Sequence, residues 1–365
     1  MAQQADSNER WELLFPIDGD MLHDRDGDVR DGRLYIRVLV AAPDGSRPRV
    51  NGVAAERRGE TYAAEIALDA GRNAIEIADA ASGRRESRTV YWLRNAANKY
   101  RLSVDDNIWW LRDIAANAQS YRSIFDNPYL GMYKRIHDTY GTKVHFNIYY
   151  RTDGFDLSQM PDTFKDEWKA NAHWMRLTFH ALQNDPDKPY IQASAEQIMR
   201  DCELVTNEIV RFAGEELLDR TTTIHWGEAT LEGCRALRRY GFRALAGYFR
   251  FADGKPIVSY YLDEKRTAHL EKRDFWKDNG EDIAFVKIDA VLDKLRLDEV
   301  VPALERLKEA PNESGFVELL IHEQYFYPHY GAYQPDYRDK IEAAVKWAAD
   351  NGYEPAFLSE LGLFE

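Results

Sequence analysis

Two adjacent carboxylates, Asp105 and Asp106, end an apolar run that begins at Tyr100. Such a run predicts a strand, and the aromatic helix predicted from Ile108 places the carboxylates at its carboxyl end. Neighbouring side chains on an extended chain point to opposite sides, so the two acids can have different roles. One can hold a metal ion while the other acts as a base. The alternative is that Asp106 or Asn107 only caps the helix.

Three of the nine histidines in the chain, His180, His225 and His322, also stand at the ends of predicted strands. One carboxylate together with imidazoles is a good ligand set for Zn²⁺ or a similar divalent ion with an open water position. Such an ion lowers the pKa of bound water and polarises a carbonyl group. A second carboxylate can then accept a proton while a further histidine protonates the leaving group. These residue types therefore predict hydrolysis.

The elements that must position these residues alternate between strand and helix from Tyr100 onward. Strands are predicted over 143–150, 174–180, 221–226, 244–249, 283–288 and 316–322, and a β-hairpin insertion over 256–261. A helix is predicted over 195–212, with Ser194 as its N-cap and Gly214 as its stop. About seven strands alternating with helices predict a parallel α/β barrel or an open doubly wound sheet. In both folds functional groups gather at the carboxyl ends of the strands.

The chain before this region has a different pattern, with short alternating runs between about Trp11 and Arg94 separated by Gly, Asp, Pro and Asn turns. This pattern predicts a small all-β sandwich. We therefore divide the chain into residues 1–96 and 97–365. The acidic residues between Asp18 and Asp28 lack the spacing of a calcium loop and are interpreted as a solvated turn.

The composition limits the class of protein. The chain has 365 residues, 44% of them hydrophobic, and a formal net charge of -14. This balance argues against nucleic-acid and anionic-membrane partners, which reward clustered Lys and Arg. The absence of an export signal and of an 18-residue apolar stretch predicts a cytoplasmic protein without membrane insertion. The two cysteines, Cys202 and Cys234, do not indicate a disulfide framework, and nothing in the pattern predicts an oligomeric state.

From about Tyr100 to its end the chain resembles the polysaccharide deacetylase family, which is the NodB-homology fold of carbohydrate esterase family four. The segment Ser103-Val-Asp-Asp-Asn107 is similar to the first family motif, Thr/Ser-Phe-Asp-Asp-Gly, and Leu319-Leu-Ile-His322 is similar to the last, Leu-Leu-His. The resemblance implies a distorted (β/α)7 barrel and metal-dependent removal of acetyl from an N-acetylated amino sugar. It also implies that Asp105 is the base, Asp106 a metal ligand and His322 the general acid. The N-terminal region resembles immunoglobulin-like domains attached to carbohydrate-active enzymes, which implies a structural or orienting role or glycan binding.

The second family motif, His-Ser/Thr-x-x-His, is replaced by His180-Ala-Leu-Gln-Asn184. The resemblance implies that His180 is a metal ligand, but an amide oxygen is a weaker ligand than an imidazole. Three interpretations are open: Asn184 coordinates weakly, another histidine completes the site, or metal binding is degraded. His225 is the candidate for the second of these.

The third family motif, Arg-Pro-Pro-Tyr-Gly, falls on Thr223-Ile-His-Trp-Gly227, which lacks the arginine. By resemblance, the backbone N–H of Trp226 would line an oxyanion pocket. Arg151 or Arg176 is a candidate to orient Asp105 in place of the missing arginine. The substrate-binding candidates are Trp226, Trp109, Glu323 and Arg176.

The sequence therefore predicts a metal-dependent deacetylase of a poly- or oligosaccharide, with Zn²⁺ as the expected ion and a carbohydrate as the substrate. One alternative is a glycoside hydrolase that uses Asp105 with Glu228 or Glu323, whose carboxylates would face each other without a metal. The other is a non-catalytic glycan-binding protein that kept the barrel and lost the metal.

Overall fold

Ten strands lie between residues 12 and 92 of the computed structural model, which describes residues 11–364. They are β1 (Glu12–Phe15), β2 (Met21–Leu22), β3 (Asp28–Arg30), β4 (Arg33–Ala41), β5 (Pro48–Val50), β6 (Val53–Ala54), β7 (Glu56–Arg58), β8 (Thr61–Leu68), β9 (Gly71–Asp79) and β10 (Arg85–Trp92). One sheet has the order β1-β4-β8-β7 with β3 beside β4, and the other has the order β2-β10-β9-β5-β6. Both sheets contribute to one apolar cluster, because alternate side chains of strands such as β4 are buried.

The rest of the described chain alternates between strands and helices. Its helices are α1 (Trp109–Asn117), α2 (Pro128–Tyr140), α3 (Lys165–Ala170), α4 (Ala195–Phe212), α5 (Leu231–Tyr240), α6 (Glu264–Leu270), α7 (Leu297–Lys308) and α8 (Tyr337–Asp350). Its strands are β11 (Lys99–Asn107), β12 (Val144–Tyr149), β13 (Arg151–Thr152), β14 (Phe155–Asp156), β15 (Met175–Ala181), β16 (Thr221–Thr222), β17 (Ala244–Gly247), β18 (Arg250–Ala252), β19 (Lys255–Ile257), β20 (Phe275–Asp278), β21 (Ile283–Lys287), β22 (Ala290–Val291), β23 (Phe316–His322) and β24 (Glu354–Pro355). Among the helices of residues 11–364, none has the length and apolar character that crossing a membrane requires.

The strands of this second region form two larger sheets. One has the order β15-β12-β11-β23-β22, with β24 beside β11, and all its pairings are parallel. The other has the order β16-β17-β21-β20 and is parallel except for β20. The predicted alternation of parallel strands and helices is thus present, and within the described residues the ladders form two sheets rather than one continuous ring. Asp105 on β11 is the register partner of His322 on β23.

Two predicted elements show what local sequence can and cannot specify. The helix predicted over 195–212 is confirmed, and the Ser194 hydroxyl accepts a hydrogen bond from the Gln197 backbone N–H at 3.2 Å. The strand predicted over 221–226 is shorter, because only residues 221–222 pair and a 3-10 turn follows at His225–Gly227. Trp226 has a φ of 67° in this turn, which is incompatible with an extended strand.

The interpretation of the acidic segment between Asp18 and Asp28 as a solvated turn is wrong. Asp20 is fully buried and contacts His269, and the Asp26 carboxylate lies 2.7 Å from the Arg273 guanidinium. These partners lie far along the chain, in and just after α6, so the segment attaches the first two sheets to the second region. Buried carboxylates need charged or hydrogen-bonding partners, and long-range contacts supply them here.

Candidate metal centre

Three potential metal ligands, Asp106, His180 and His225, converge at the carboxyl ends of the parallel strands. Their ligand atoms all lie within 4.8 Å of one another. The Asp106 Oδ1 atom is 3.1 Å from Nε2 of His180 and 3.2 Å from Nδ1 of His225. Asp106 and His225 are each 8% exposed and His180 is 1% exposed. One carboxylate and two imidazoles therefore meet in a largely buried site, which is a ligand set suited to a divalent cation.

The backbone at Asp106 explains why both neighbouring acids face the same cavity. Asp106 has a φ of 66°, and the pairing of β11 with β12 is irregular between Val104 and Asn107. This bulge breaks the alternation of side chains that an extended strand would impose. Asp105 and Asp106 consequently line one cavity instead of opposite faces.

Hydrogen bonds to main-chain carbonyl groups fix the ring orientation of both histidines. Nδ1 of His180 contacts the carbonyl oxygen of Thr223, and Nε2 of His225 donates to the carbonyl oxygen of Asn184 at 3.0 Å. The second ring nitrogen of each histidine, Nε2 of His180 and Nδ1 of His225, is thereby aimed at Asp106, and it is available to a cation when it is unprotonated. The donor atoms of the cluster therefore fit a divalent cation.

Two further polar side chains bind Asp106, and sequence reasoning missed both. The Tyr149 hydroxyl donates to Oδ1 and also lies 2.8 Å from Nδ1 of His225, and Nε2 of Gln324 donates to Oδ2 at 2.7 Å. Burial raises the pKa of Asp106, but the hydrogen bonds of His180 and His225 outweigh it and hold the pKa well below its usual range. Asp106 is thus held as the carboxylate that metal coordination requires.

Asp105, the carboxylate next to Asp106, makes no hydrogen bond to His180 or His225. Nδ2 of Asn147 donates to its Oδ1 at 2.6 Å, and the residue is 3% exposed. Burial raises the pKa of Asp105, while the nearby His180 and His322 lower it. A buried carboxyl with a raised pKa that opens onto a cavity can accept a proton.

His322 lies opposite Asp105 and is bound by an acid that sequence reasoning did not identify. Oδ1 of Asp293 accepts from Nδ1 of His322 at 2.8 Å and from its backbone N–H at 3.1 Å. Burial lowers the pKa of His322, but the charge and hydrogen bond of Asp293 more than compensate and raise it to about 9. His322 is therefore protonated at neutral pH and can donate a proton.

Two cavities meet at the centre. One, of about 450 Å³, contains Asp105 and His322; the other, of about 510 Å³, is lined by Trp109. Residues shared by both linings are Asp106, Asn184, Gln324 and Tyr330. Trp226 lines the first cavity and is 43% exposed. The centre thus lies between two spaces, each with an indole ring in its wall.

Two predicted substrate-binding residues are placed elsewhere. The buried Glu323 carboxylate accepts hydrogen bonds from the backbone N–H groups of residues 108–110 at 2.6–2.9 Å, so it caps the amino end of α1. Arg176 lies at the opposite end of β15 from His180, where it contacts the carbonyl oxygens of Ala172 and Met175. Both side chains are therefore engaged with the backbone outside the two cavity linings.

The other three candidates of the sequence are Asn184, Arg151 and Glu228. The amide oxygen of Asn184 is 3.5 Å from the Tyr149 hydroxyl, so Asn184 joins the centre through its side chain and its carbonyl group. Arg151 lines the larger cavity and donates to the Gln183 side chain at 2.6 Å. Glu228 accepts from Lys188 at 3.1 Å.

No protein-family model matches this sequence. No curated protein matches it either. Three solved structures are similar to 73% of the chain: a CE4-family pseudoenzyme from Bacillus anthracis (11% identity, TM-score 0.37), the 4-α-glucanotransferase of Thermococcus litoralis (12%, 0.46) and a protein assigned as a polysaccharide deacetylase from Mycobacterium smegmatis (10%, 0.42). The chain covers 66%, 40% and 90% of their respective lengths. No residue role follows from similarity at this level.

Proposed function

We propose that this protein is a metal-dependent hydrolase that removes acetyl from an N-acetylated amino sugar of a poly- or oligosaccharide. The observation that carries the proposal is the convergence of Asp106, His180 and His225 at one strand edge, with their ligand atoms within 4.8 Å of one another. Asp105 and His322 line the same cavity as these three residues. A metal ligand set with a carboxylate and a protonated imidazole beside it suits amide hydrolysis.

The roles follow from the contacts of each group. Asp106, His180 and His225 would hold the cation, with Zn²⁺ the ion that this donor set suits best. A bound cation of this kind supplies polarisation of a carbonyl group and a lowered pKa for water. Asp105 is the proton acceptor for the attacking water, since it opens onto the cavity beside the ligands.

His322 is the proton donor to the departing amine. Its ring is held by Asp293 at 2.8 Å and carries a proton at neutral pH. An amine leaves poorly as an anion, so protonation of the nitrogen is needed for the C–N bond to break. The base and the acid are register partners on adjacent strands, which places them on the same side of the sheet.

A carbohydrate substrate is supported by the two cavities and their indole walls. Trp109 packs at 5.3 Å from the Tyr327 ring and Trp226 is partly exposed. Aromatic faces present apolar area at little cost in conformational entropy and suit the apolar faces of sugar rings. Space on both sides of Asp106 accommodates more than one sugar unit.

The test compares Asp105→Asn with Asp106→Ala in protein supplied with Zn²⁺. We expect wild type to release acetate from N-acetylated oligosaccharides and to contain one metal ion per chain by elemental analysis. Asp105→Asn should lose acetate release and keep the metal, because it removes the base and leaves the ligands. Asp106→Ala should lose both. Metal-free wild type, or an active Asp105→Asn variant, would refute the assignment.

A further inference from the structure

A chain of buried polar side chains lies beneath Asp105, inside the parallel sheet. Its members are Arg101, His145, Thr178 and Asn147, each at most 2% exposed. They lie on three adjacent strands, β11, β12 and β15. His145 and Asn147 are two residues apart on β12 and so face the same side, and Thr178 is the register partner of Asn147.

Each member is within hydrogen-bond distance of the next. Nη1 of Arg101 is 3.2 Å from Nδ1 of His145, and Nε2 of His145 is 2.7 Å from Oγ1 of Thr178. Oγ1 of Thr178 is 3.0 Å from Oδ1 of Asn147, whose Nδ2 is 2.6 Å from Oδ1 of Asp105. The chain therefore connects the amino-terminal half of β11 to the candidate base.

The chemistry of Arg101 fixes the direction of every bond. A guanidinium has donors only, so Nδ1 of His145 must accept and Nε2 must carry the ring proton. Thr178 then accepts from His145, which directs its own hydroxyl proton to Oδ1 of Asn147. The Asn147 amide must accordingly present its NH₂ group to Asp105. In each bond of the chain the donor is therefore on the Arg101 side and the acceptor on the Asp105 side.

Two observations support this proton arrangement. Glu318 is fully buried and both its oxygens lie 2.9 Å from Nε of Arg101, which holds the guanidinium in place. Burial lowers the pKa of His145 well below its usual range, and the charges of Arg101 and Arg176 lower it further. His145 is therefore neutral, as the chain of donors requires.

We infer that the donor chain Arg101–His145–Thr178–Asn147 is a positioning device that fixes the rotamer of Asp105 for proton abstraction. It takes the place of an arginine bound directly to the base, since Arg151 and Arg176 are engaged elsewhere. The inference rests on the proposed function for the role of Asp105. With Oδ1 held by Asn147, the other oxygen of the carboxylate is the proton acceptor.

Asn147 cannot keep its orientation without Thr178. If the hydroxyl is removed, Oδ1 of Asn147 loses its 3.0 Å donor and keeps only longer contacts, to the Thr223 backbone N–H at 3.4 Å and to the Thr222 hydroxyl at 3.5 Å. The Thr222 hydroxyl donates its proton to the Phe179 carbonyl oxygen instead. Nε2 of His145 is also left without an acceptor in the dry interior. Rotation of the Asn147 side chain lets its oxygen accept from His145 and removes its NH₂ group from Asp105.

The experiment compares Thr178→Val, which removes the hydroxyl at constant shape, with Thr178→Ser, which keeps it. Both variants are loaded with Zn²⁺, and kcat, KM and zinc affinity are measured separately. We expect Thr178→Val to lower kcat about tenfold to a hundredfold, the size expected for a misplaced catalytic group, with KM and zinc affinity unchanged. Thr178→Ser should restore most of kcat. Equal kcat values for Thr178→Val and wild type would overturn the inference.

Two readouts do not depend on activity. The ¹⁵N spectrum of histidine-labelled wild type, assigned with His145→Gln, should show His145 with its proton on Nε2; a proton on Nδ1 or on both nitrogens would overturn the chain. Crystal structures should show the Asn147–Asp105 bond broken in Thr178→Val and kept in Thr178→Ser. If wild type releases no acetate, the proposed function fails, while these structures still decide whether the chain positions Asp105.

Discussion

Nε2 of His225 lies 3.0 Å from the main-chain oxygen of Asn184. The two residues that the sequence offered as alternative metal ligands are therefore partners. The carbonyl group of Asn184 fixes the imidazole of His225 in the orientation that presents Nδ1 to Asp106. This contact uses the main-chain oxygen, so it does not depend on the amide side chain at position 184.

This partnership predicts different metal affinities for Asn184→Ala and His225→Ala. Asn184→Ala keeps the carbonyl oxygen, so it should retain bound zinc, whereas His225→Ala removes a ligand and should lose it. Isothermal titration with Zn²⁺ on the metal-free proteins measures both affinities. His173→Ala serves as a control, because His173 is exposed and contacts only the Ala170 carbonyl oxygen among its hydrogen-bond partners.

Equal loss of zinc affinity in Asn184→Ala and His225→Ala would show that the amide side chain is itself a ligand. The arrangement around His225 would then change on metal binding. An unchanged affinity in His225→Ala would instead remove His225 from the ligand set.

The Asp293–His322 pair predicts a specific dependence on pH. The pKa of His322 is raised to about 9, so the ion pair is fully formed below the ordinary histidine pKa and is lost as pH rises through about 9. Asp293→Asn keeps a hydrogen-bond acceptor and removes the charge, which leaves burial to lower the pKa. We expect kcat/KM to fall above about pH 9 in wild type and at lower pH in Asp293→Asn.

NMR titration of His322 in the metal-free protein measures the same shift without turnover. The variant should titrate at lower pH than wild type. A His322 titration that is the same in both proteins would show that Asp293 does not sustain the charge of the proposed acid.

The strand-end residues of the site were predictable because their position depends on local pattern and a general property of parallel sheets. The runs that end in Asp105, His180 and His322 are recognisable along the chain, and parallel pairing brings their carboxyl ends to one edge. His225 was found for the same reason. Its strand was predicted too long because the positive φ of Trp226 has no signal in a non-glycine residue.

The polar neighbours of the acids were not predictable in this way. Tyr149, Asn147 and Gln324 are residue types without a motif of their own. The position of Asn147 and Tyr149 follows from cross-strand register, and that of Gln324 from the turn after β23. Asp293 lies 29 residues before His322, and only the fold shows that they touch. The bulge at Asp106, which turns both acids to one side, is likewise set by pairing with β12.

Charged residues misled the sequence interpretation where their partners are backbone groups or side chains that sequence does not reveal. Arg176 and Glu323 were interpreted as substrate-binding, yet both satisfy backbone groups. The acidic segment around Asp20 was interpreted as solvated, yet it packs against α6. Charge along a sequence indicates exposure only when no opposite partner comes close in the fold.

The capping role of Glu323 predicts an effect on stability. Glu323→Gln keeps one oxygen and places an NH₂ group either against the backbone N–H groups of Ile108 and Trp109 or against the Trp110 N–H and the Tyr327 hydroxyl. It should lower the free energy of unfolding by about 1 to 3 kcal/mol, the cost of unsatisfied buried donors. Denaturant unfolding measures this. Glu342→Gln, which alters an exposed pair with Arg338, should change stability by less than about 0.5 kcal/mol. Lost activity at unchanged stability would favour the glycosidase alternative.

The contact between Gly315 and His23 predicts that the junction of the two regions does not tolerate a methyl group. A Cβ at position 315 would lie 2.3 Å from Nε2 of His23. The His23 ring cannot move away, because it is 1% exposed and lies 3.0 Å from Asp274 and 3.3 Å from Asp26. Gly315→Ala should therefore destabilise the protein by about 1 to 3 kcal/mol, as overpacking does. Thermal unfolding measures the effect against Gly331→Ala, where a Cβ meets no atom within 4 Å. Matching unfolding temperatures for the two variants would show that the His23 contact is loose enough to absorb the methyl group.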